Sequence, residues 1–394
     1  MFESIIFRRQ GNGPKNKPID LGMLIEAMLF YGSISIVADR DVLSCLLNEL
    51  GQDGFLELVS EDFLRILFVE SNTGIRTATN GLGQQLHDPV ILTSPQHTAP
   101  EQIRRVCIGV TGKDGKGRRL ARRIEPMLSV LKHDPIITRG ARDSILNPDY
   151  LNRAAQHIIS TLIPGIPTAG MTFTGRGVGD RIRIETNIDF GALNSEYHKH
   201  VPSTHSSISP AYILTFLIDA ECDLYFASTH LAEIATSPLG SKLISEKVSY
   251  ALHRRDKSVE SLAHFQDVTL NDAHAIREAL NNGQASVQDA IAAVKASARF
   301  KKWLSGIPYD GKLVSEYYKD ISKDSWIDKL PGKIFRWAFF TGVGLGADAL
   351  GAGGLGVPAG LTLSVMDSFL LDKVIKGWKP NQFVETELRR LIEQ

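Results

Sequence analysis

The sequence predicts an α+β fold. Three observations carry that prediction. Strand-like and helix-like runs alternate through the first third, one β-hairpin stands near the middle, and apolar residues then recur at helical spacing. The expected units are an α/β portion over 1–165, a β-hairpin with a helical segment over 166–330, and a glycine-rich apolar helical hairpin with a tail over 331–394.

Taken in order, Ser4 to Arg8 and Ser33 to Ala38 are short β-branched strands that flank a helix over Leu21 to Leu29. Asp39 or Asp41 can cap the next helix, whose apolar stripe is Val42, Leu43, Leu46, Leu47 and Leu50, with Gly51 as its stop. Asp53 caps a short helix at Phe55 to Leu58, and Leu64 to Val69 returns as a strand. Val90 to Thr93 and Arg105 to Val110 are the next expected strands. The hairpin joins Met171–Thr174 to Arg181–Ile188 through the loop Gly175 to Asp180. Ser209 before Pro210 opens a helix, Ser241 opens another, Ala273 to Leu280 is helical before Gly283, and Ser286 with Asp289 makes a capping box. The final legs of the hairpin are expected at Trp337 to Leu350 and Pro358 to Leu371.

The whole-chain balance narrows the function classes. Lysine plus arginine is 44 and aspartate plus glutamate is 44 in 394 residues, with 43 % apolar residues. That excludes a disordered chain, a polytopic membrane protein and a uniformly basic nucleic-acid coat. The three cysteines are far apart and match no metal-ligand spacing, so they are expected as reduced thiols. The N-terminus has no apolar segment of signal-peptide length, which points to the cytoplasm.

Four constellations could carry chemistry. The first is the run Ala349 to Met366, which has no charge and five glycines. Each leg of a hairpin there spans about 21 Å, short of a bilayer core of about 30 Å. Gly342, Gly346, Gly356 and Gly360 would allow close backbone approach to a partner, a second copy or a membrane surface. The second is a net charge of +7 over Arg104 to Arg123. Arg118, Arg119, Arg122 and Arg123 are its candidate contacts for an anionic ligand or nucleic acid. The adjoining GVTGKDGKG resembles a phosphate loop, but its glycine–lysine spacing is one residue too long and Gly117 stands where a metal-binding hydroxyl belongs.

The third constellation is His198, His200 and His205, weak candidates for zinc that are more simply loop histidines. The fourth is acidic. Asp39 and Asp41 follow a strand, and with Glu70 and Asp88 they could hold magnesium if the fold gathers them. The simpler role of Asp39 or Asp41 is a helix cap. The motif GRGVGD is followed by strand rather than helix, so it is a hairpin turn and not a dinucleotide fingerprint.

RFKKWL (Arg299 to Leu304), SEYYKD (Ser315 to Asp320), SWIDKLPGK (Ser325 to Lys333) and DSFLLDKVIKGWKPNQFVE (Asp367 to Glu385) together resemble a family of uncharacterised bacterial proteins with a glycine-rich hydrophobic C-terminal region. The resemblance covers about residues 210 to 390. It implies a bacterial origin and no activity, and the further expectation attached to it is a role in antiviral defence. The expected function is a non-enzymatic binding or sensor protein, cytoplasmic or peripheral at the inner membrane, whose C-terminal hairpin contacts a protein partner, a second copy or a membrane surface. The alternative is a metal-dependent nuclease or phosphodiesterase-like enzyme using Asp39, Asp41, Glu70 and Asp88.

Overall fold

The computed structural model describes residues 4–9, 17–93, 98–253, 266–271, 280–283, 286–292, 294–295, 336–341 and 382–384. Two sheets organise them, one of eight strands and one of four.

The larger sheet grows from β1 (Ser4–Phe7), β2 (Ser33–Ala38) and β3 (Arg65–Val69), which pair in parallel. Their side chains alternate between two separate cores. Ile5, Phe7, Ile36, Ala38, Ile66 and Phe68 enter one core, and Ile6, Val37 and Leu67 enter the other. A sheet covered on both faces explains the unbroken apolar runs Ile5–Phe7, Ile36–Ala38 and Ile66–Val69 within these strands. Helices α1 (Leu21–Phe30), α2 (Arg40–Glu49) and α3 (Gly51–Ser60) cover the first face.

After β3 the chain leaves the sheet as a hairpin of β4 (Ser71–Thr79) and β5 (Gln85–Thr93). It returns to the first face as α4 (Ala99–Thr111) and α5 (Asp114–Ile124), and then adds β6 (Ser129–Leu131) beside β3. The second face is covered by α6 (Pro135–Leu146), α7 (Pro148–Leu162), α8 (Phe190–Tyr197), α9 (Pro210–Thr229) and α10 (Pro238–His253). A second hairpin, β7 (Phe173–Val178) and β8 (Arg181–Thr186), joins β5 to complete the four-stranded sheet.

The last step sets the topology. β9 (Glu233–Thr236) pairs in parallel with β1 on the side away from β2. The chain therefore winds outward through β2, β3 and β6 over one face, then crosses the other face to the far side of β1. This is a doubly wound sheet with its switch point between β1 and β9. β12 (Gln382–Val384), β10 (Gln266–Asn271) and β11 (Arg336–Thr341) extend the sheet beyond β9. The sheet thus draws on residues from both sides of position 165 and on strands from the C-terminal half.

Several local expectations are corrected. Arg105–Val110 is not a strand but the second half of α4. Thr98 and Glu101 form a capping box there, Pro100 sits in the first turn, and Gly112 closes the helix at φ 64°. The β7–β8 turn is only Gly179 and Asp180, so most of GRGVGD is strand. The helix expected from Ser241 begins at Pro238, where the Ser237 hydroxyl accepts from Gly240 N at 3.1 Å. The expected helical leg at Trp337 starts instead within a strand, since Arg336–Thr341 pairs antiparallel with Gln266–Asn271. The run RWAFFT, rich in aromatic residues, suits a pleated ladder better than a helix. Gly342, Gly346, Gly356, Gly360 and the run Ala349 to Met366 lie outside the described residues. Among the described residues, no helix is long and apolar enough to cross a membrane.

Gly117 explains the tight α4–α5 pair. A Cβ at that position would lie 2.5 Å from the Ile108 Cα, whereas Gly109 in α4 faces open space. Gly109→Ala is therefore expected to stabilise the fold by up to about 1 kcal/mol through helix propensity. Gly117→Ala is expected to destabilise it by about 1–3 kcal/mol through overpacking. Urea unfolding of the two variants measures both signs.

Candidate functional site

In open sheets of this kind, ligands bind beyond the carboxyl ends of the strands near the switch point. A cavity of about 150 Å³ lies there, lined by residues from the ends of β1, β2, β3 and β6 and from α9. A larger groove between the turn at 163–171 and α8 is wider open and more apolar. The first cavity is the better candidate because charged groups from several elements converge on it.

The floor is built on Arg8, just past β1. Its Nε donates to Asp223 Oδ1 at 2.6 Å, and its Nη2 donates to Asp219 Oδ1 at 2.7 Å. Burial opposes the Arg8 charge, but Asp223 and Asp219 outweigh it and hold the guanidinium protonated well above its ordinary range. Asp223 also accepts from Thr236 Oγ1 at 3.4 Å, so this network ties β1, α9 and the end of β9 together.

One wall is built on Arg9. Its Nη1 donates to Asp39 Oδ2 at 3.1 Å and to Asp41 Oδ2 at 2.9 Å. Asp39 Oδ2 accepts a further bond from Asn72 Nδ2 at 3.1 Å. Asp39 Oδ1 accepts from the backbone N–H of Asp41 and of Val42, both at 3.0 Å, and so caps α2. Both oxygens of Asp39 are committed, which is the cap expected from the sequence.

The remaining acidic candidates have other employment. Glu70 Oε1 accepts from Ala99 N at 2.6 Å at the start of α4. Asp88 pairs with Arg76 at 3.0 Å across the β4–β5 hairpin. The four carboxylates are held by three different sets of partners and are not gathered around one point.

The opposite wall differs, because two groups there are uncommitted. The Lys132 side chain is exposed and, among the described residues, makes no ion pair or hydrogen bond. His133 Nε2 is buried and, among the described residues, has no hydrogen-bond partner. Burial lowers the His133 pKa, against a smaller upward pull from Asp134, so the ring is neutral at pH 7 with a free nitrogen. The nearby nucleophiles are quiet. Burial pushes the Cys222 thiol up to about 12, and burial with the bond to Asp134 Oδ2 at 2.9 Å pushes the Tyr225 phenol up to about 12.

No family model, curated protein or solved structure matches the chain.

The other sequence candidates lie elsewhere. Arg118, Arg119, Arg122 and Arg123 are exposed along α5 and do not line the cavity. His198 caps α8, with its ring 3.3 Å from both Val201 O and Ser207 Oγ, while His200 and His205 are exposed in the following turns. Among the described residues, no group of three or more His, Cys, Asp or Glu could hold a metal ion. Sequence reasoning missed Arg8, Arg9, Lys132 and His133. Their only signal was their position immediately after a strand, at the edge where such sheets bind ligands.

Arg8→Ala leaves the Asp223 carboxylate buried without its partner, and a loss of about 3–5 kcal/mol is expected in urea unfolding. The buried histidines set a pH dependence. Burial lowers the pKa of His87, His133 and His230 below the ordinary value of 6.5. The unfolded chain then binds more protons than the folded chain just below that value, so stability is full above it and falls as the pH drops through it. Urea midpoints should be flat from about pH 7 to 8 and decline from about 6.5 to 5.5, less steeply in His87→Gln.

Proposed function

We propose that the protein is a non-enzymatic ligand-binding sensor, with a small polar ligand held at the carboxyl edge of the doubly wound sheet. The observation that carries this reading is the contrast within one cavity. Arg8, Arg9 and Asp39 are held in fixed pairs, whereas Lys132 and the His133 ring nitrogen are uncommitted. A preformed, rigid wall facing unpaired recognition groups is an arrangement for binding. The ligand that fits carries an anionic group for Lys132 and a hydrogen-bonding group for His133 Nε2. It is small, because the cavity holds only about 150 Å³.

The output half of the proposal is a contact with a protein partner, a second copy or a membrane surface. It is supported by the uncharged run Ala349 to Met366 alone. The nuclease-like alternative has one observation in its favour, since Asp39 and Asp41 converge on a single cation, Arg9. A metal there would have to displace that guanidinium.

A thermal-shift screen of small phosphorylated and carboxylated metabolites tests the reading. A ligand at about 100 times its Kd should add about 2.7 kcal/mol, which is a rise of several degrees. Lys132→Ala should leave the melting temperature of the free protein unchanged and abolish that rise. If no compound shifts the protein, or the rise survives in Lys132→Ala, the cavity is not the binding site. Magnesium-dependent nucleic-acid cleavage that disappears in Asp39→Asn would put the enzymatic reading in its place.

A further inference from the structure

The α4–α5 hairpin carries a strongly one-sided charge. All eight cations between Arg104 and Arg123 are exposed, and six of them are arginine. Arg118 pairs with Asp114 at 2.8 Å. Among the described residues, none of the other seven side chains has an ion-pair or hydrogen-bond partner. The helix dipole accounts for only two of them, Arg122 and Arg123 in the last turn of α5. The close approach at Gly117 and Ile108 presses the two cationic helices together and raises the charge density further. The whole chain is neutral, so this is a local concentration and not a basic protein.

The chemistry of the face selects its partner. Neither cavity described above includes these residues, so a small anion would find no enclosure. Leu120, Ala121 and Ile124 of α5 are buried in the core, which leaves no apolar stripe to enter a lipid surface. Exposed arginines suit phosphates, which accept two parallel N–H bonds from one guanidinium. α5 is about 16 Å long, and duplex DNA carries a charge about every 1.7 Å of its axis, so several phosphates fall within reach.

We propose that the α4–α5 hairpin is a sequence-independent docking face for the phosphate backbone of double-stranded nucleic acid. The proposal does not rest on the ligand cavity. Fluorescence anisotropy with a labelled duplex, at a series of salt concentrations, tests it. Micromolar binding is expected at low salt, with log K falling linearly against log salt. In the full chain carrying Arg119→Gln, Arg122→Gln and Arg123→Gln, that slope should flatten by about 0.9 for each phosphate that is no longer neutralised. Circular dichroism checks that the triple variant is folded. An unrelated exposed cation, Arg139→Gln, should leave the slope unchanged. The proposal is overturned by no duplex binding at low salt, by an unchanged slope in the triple variant, or by equal flattening in Arg139→Gln. It is also overturned if the protein binds phosphatidylglycerol vesicles and added duplex does not compete.

Discussion

Arg8 stands where β1 and β9 part company, gripping Asp223 at 2.6 Å and Asp219 at 2.7 Å. A doubly wound sheet opens a crevice at its switch point, because the connections on either side leave toward opposite faces. Something must hold that crevice at a fixed width. Here a guanidinium just past β1 is clamped by two carboxylates of α9, one of which also meets Thr236 at the end of β9. The pair is costly to desolvate, so its value lies less in net stability than in fixing how three elements meet. Arg9 repeats the device one residue later toward β2. Successive residues after the strand thus send one arginine to α9 and the next to Asp39 and Asp41, and the two together frame the cavity.

The parts of the fold that were legible in the sequence are those where local pattern and tertiary role agree. β1, β2 and β3 are short β-branched runs whose apolar residues each have a core to enter. Asp39 has the side chain, position and following apolar stripe of an N-cap, and it is one. The parts that were not legible lack such agreement. β4 reads SNTGIRTAT, with neither apolar alternation nor a continuous apolar run, because none of it is fully buried. β9 has only four residues, and its burial is decided by β1 rather than by its own pattern. The run RRVCIGV suits strand or helix equally, and only the cap upstream, at Thr98, decides it.

The glycines of GVTGKDGKG imitate, in their spacing, a loop that wraps phosphate, yet their roles here are helical. Gly112 ends α4 in the left-handed conformation, and Gly117 lets α5 lie against the backbone of α4. What separates the two arrangements is the element before the glycines, which is a helix here and a strand in a phosphate loop. The lysines and arginines around them therefore point outward from a packed hairpin, not inward toward a nucleotide.

The four-stranded sheet is joined across its middle by a single register pair, His87 with Ile182. Either hairpin alone pairs along its full length, nine residue pairs in one and six in the other. That seam is thin in backbone bonds, so side-chain packing joins the hairpins: Phe173 and Ile182 share one core with Ile75 and Ile184. β4 begins just after β3 ends and supplies Asn72 to the cavity wall, so the same core that seats the hairpins on the parallel sheet also fixes that wall.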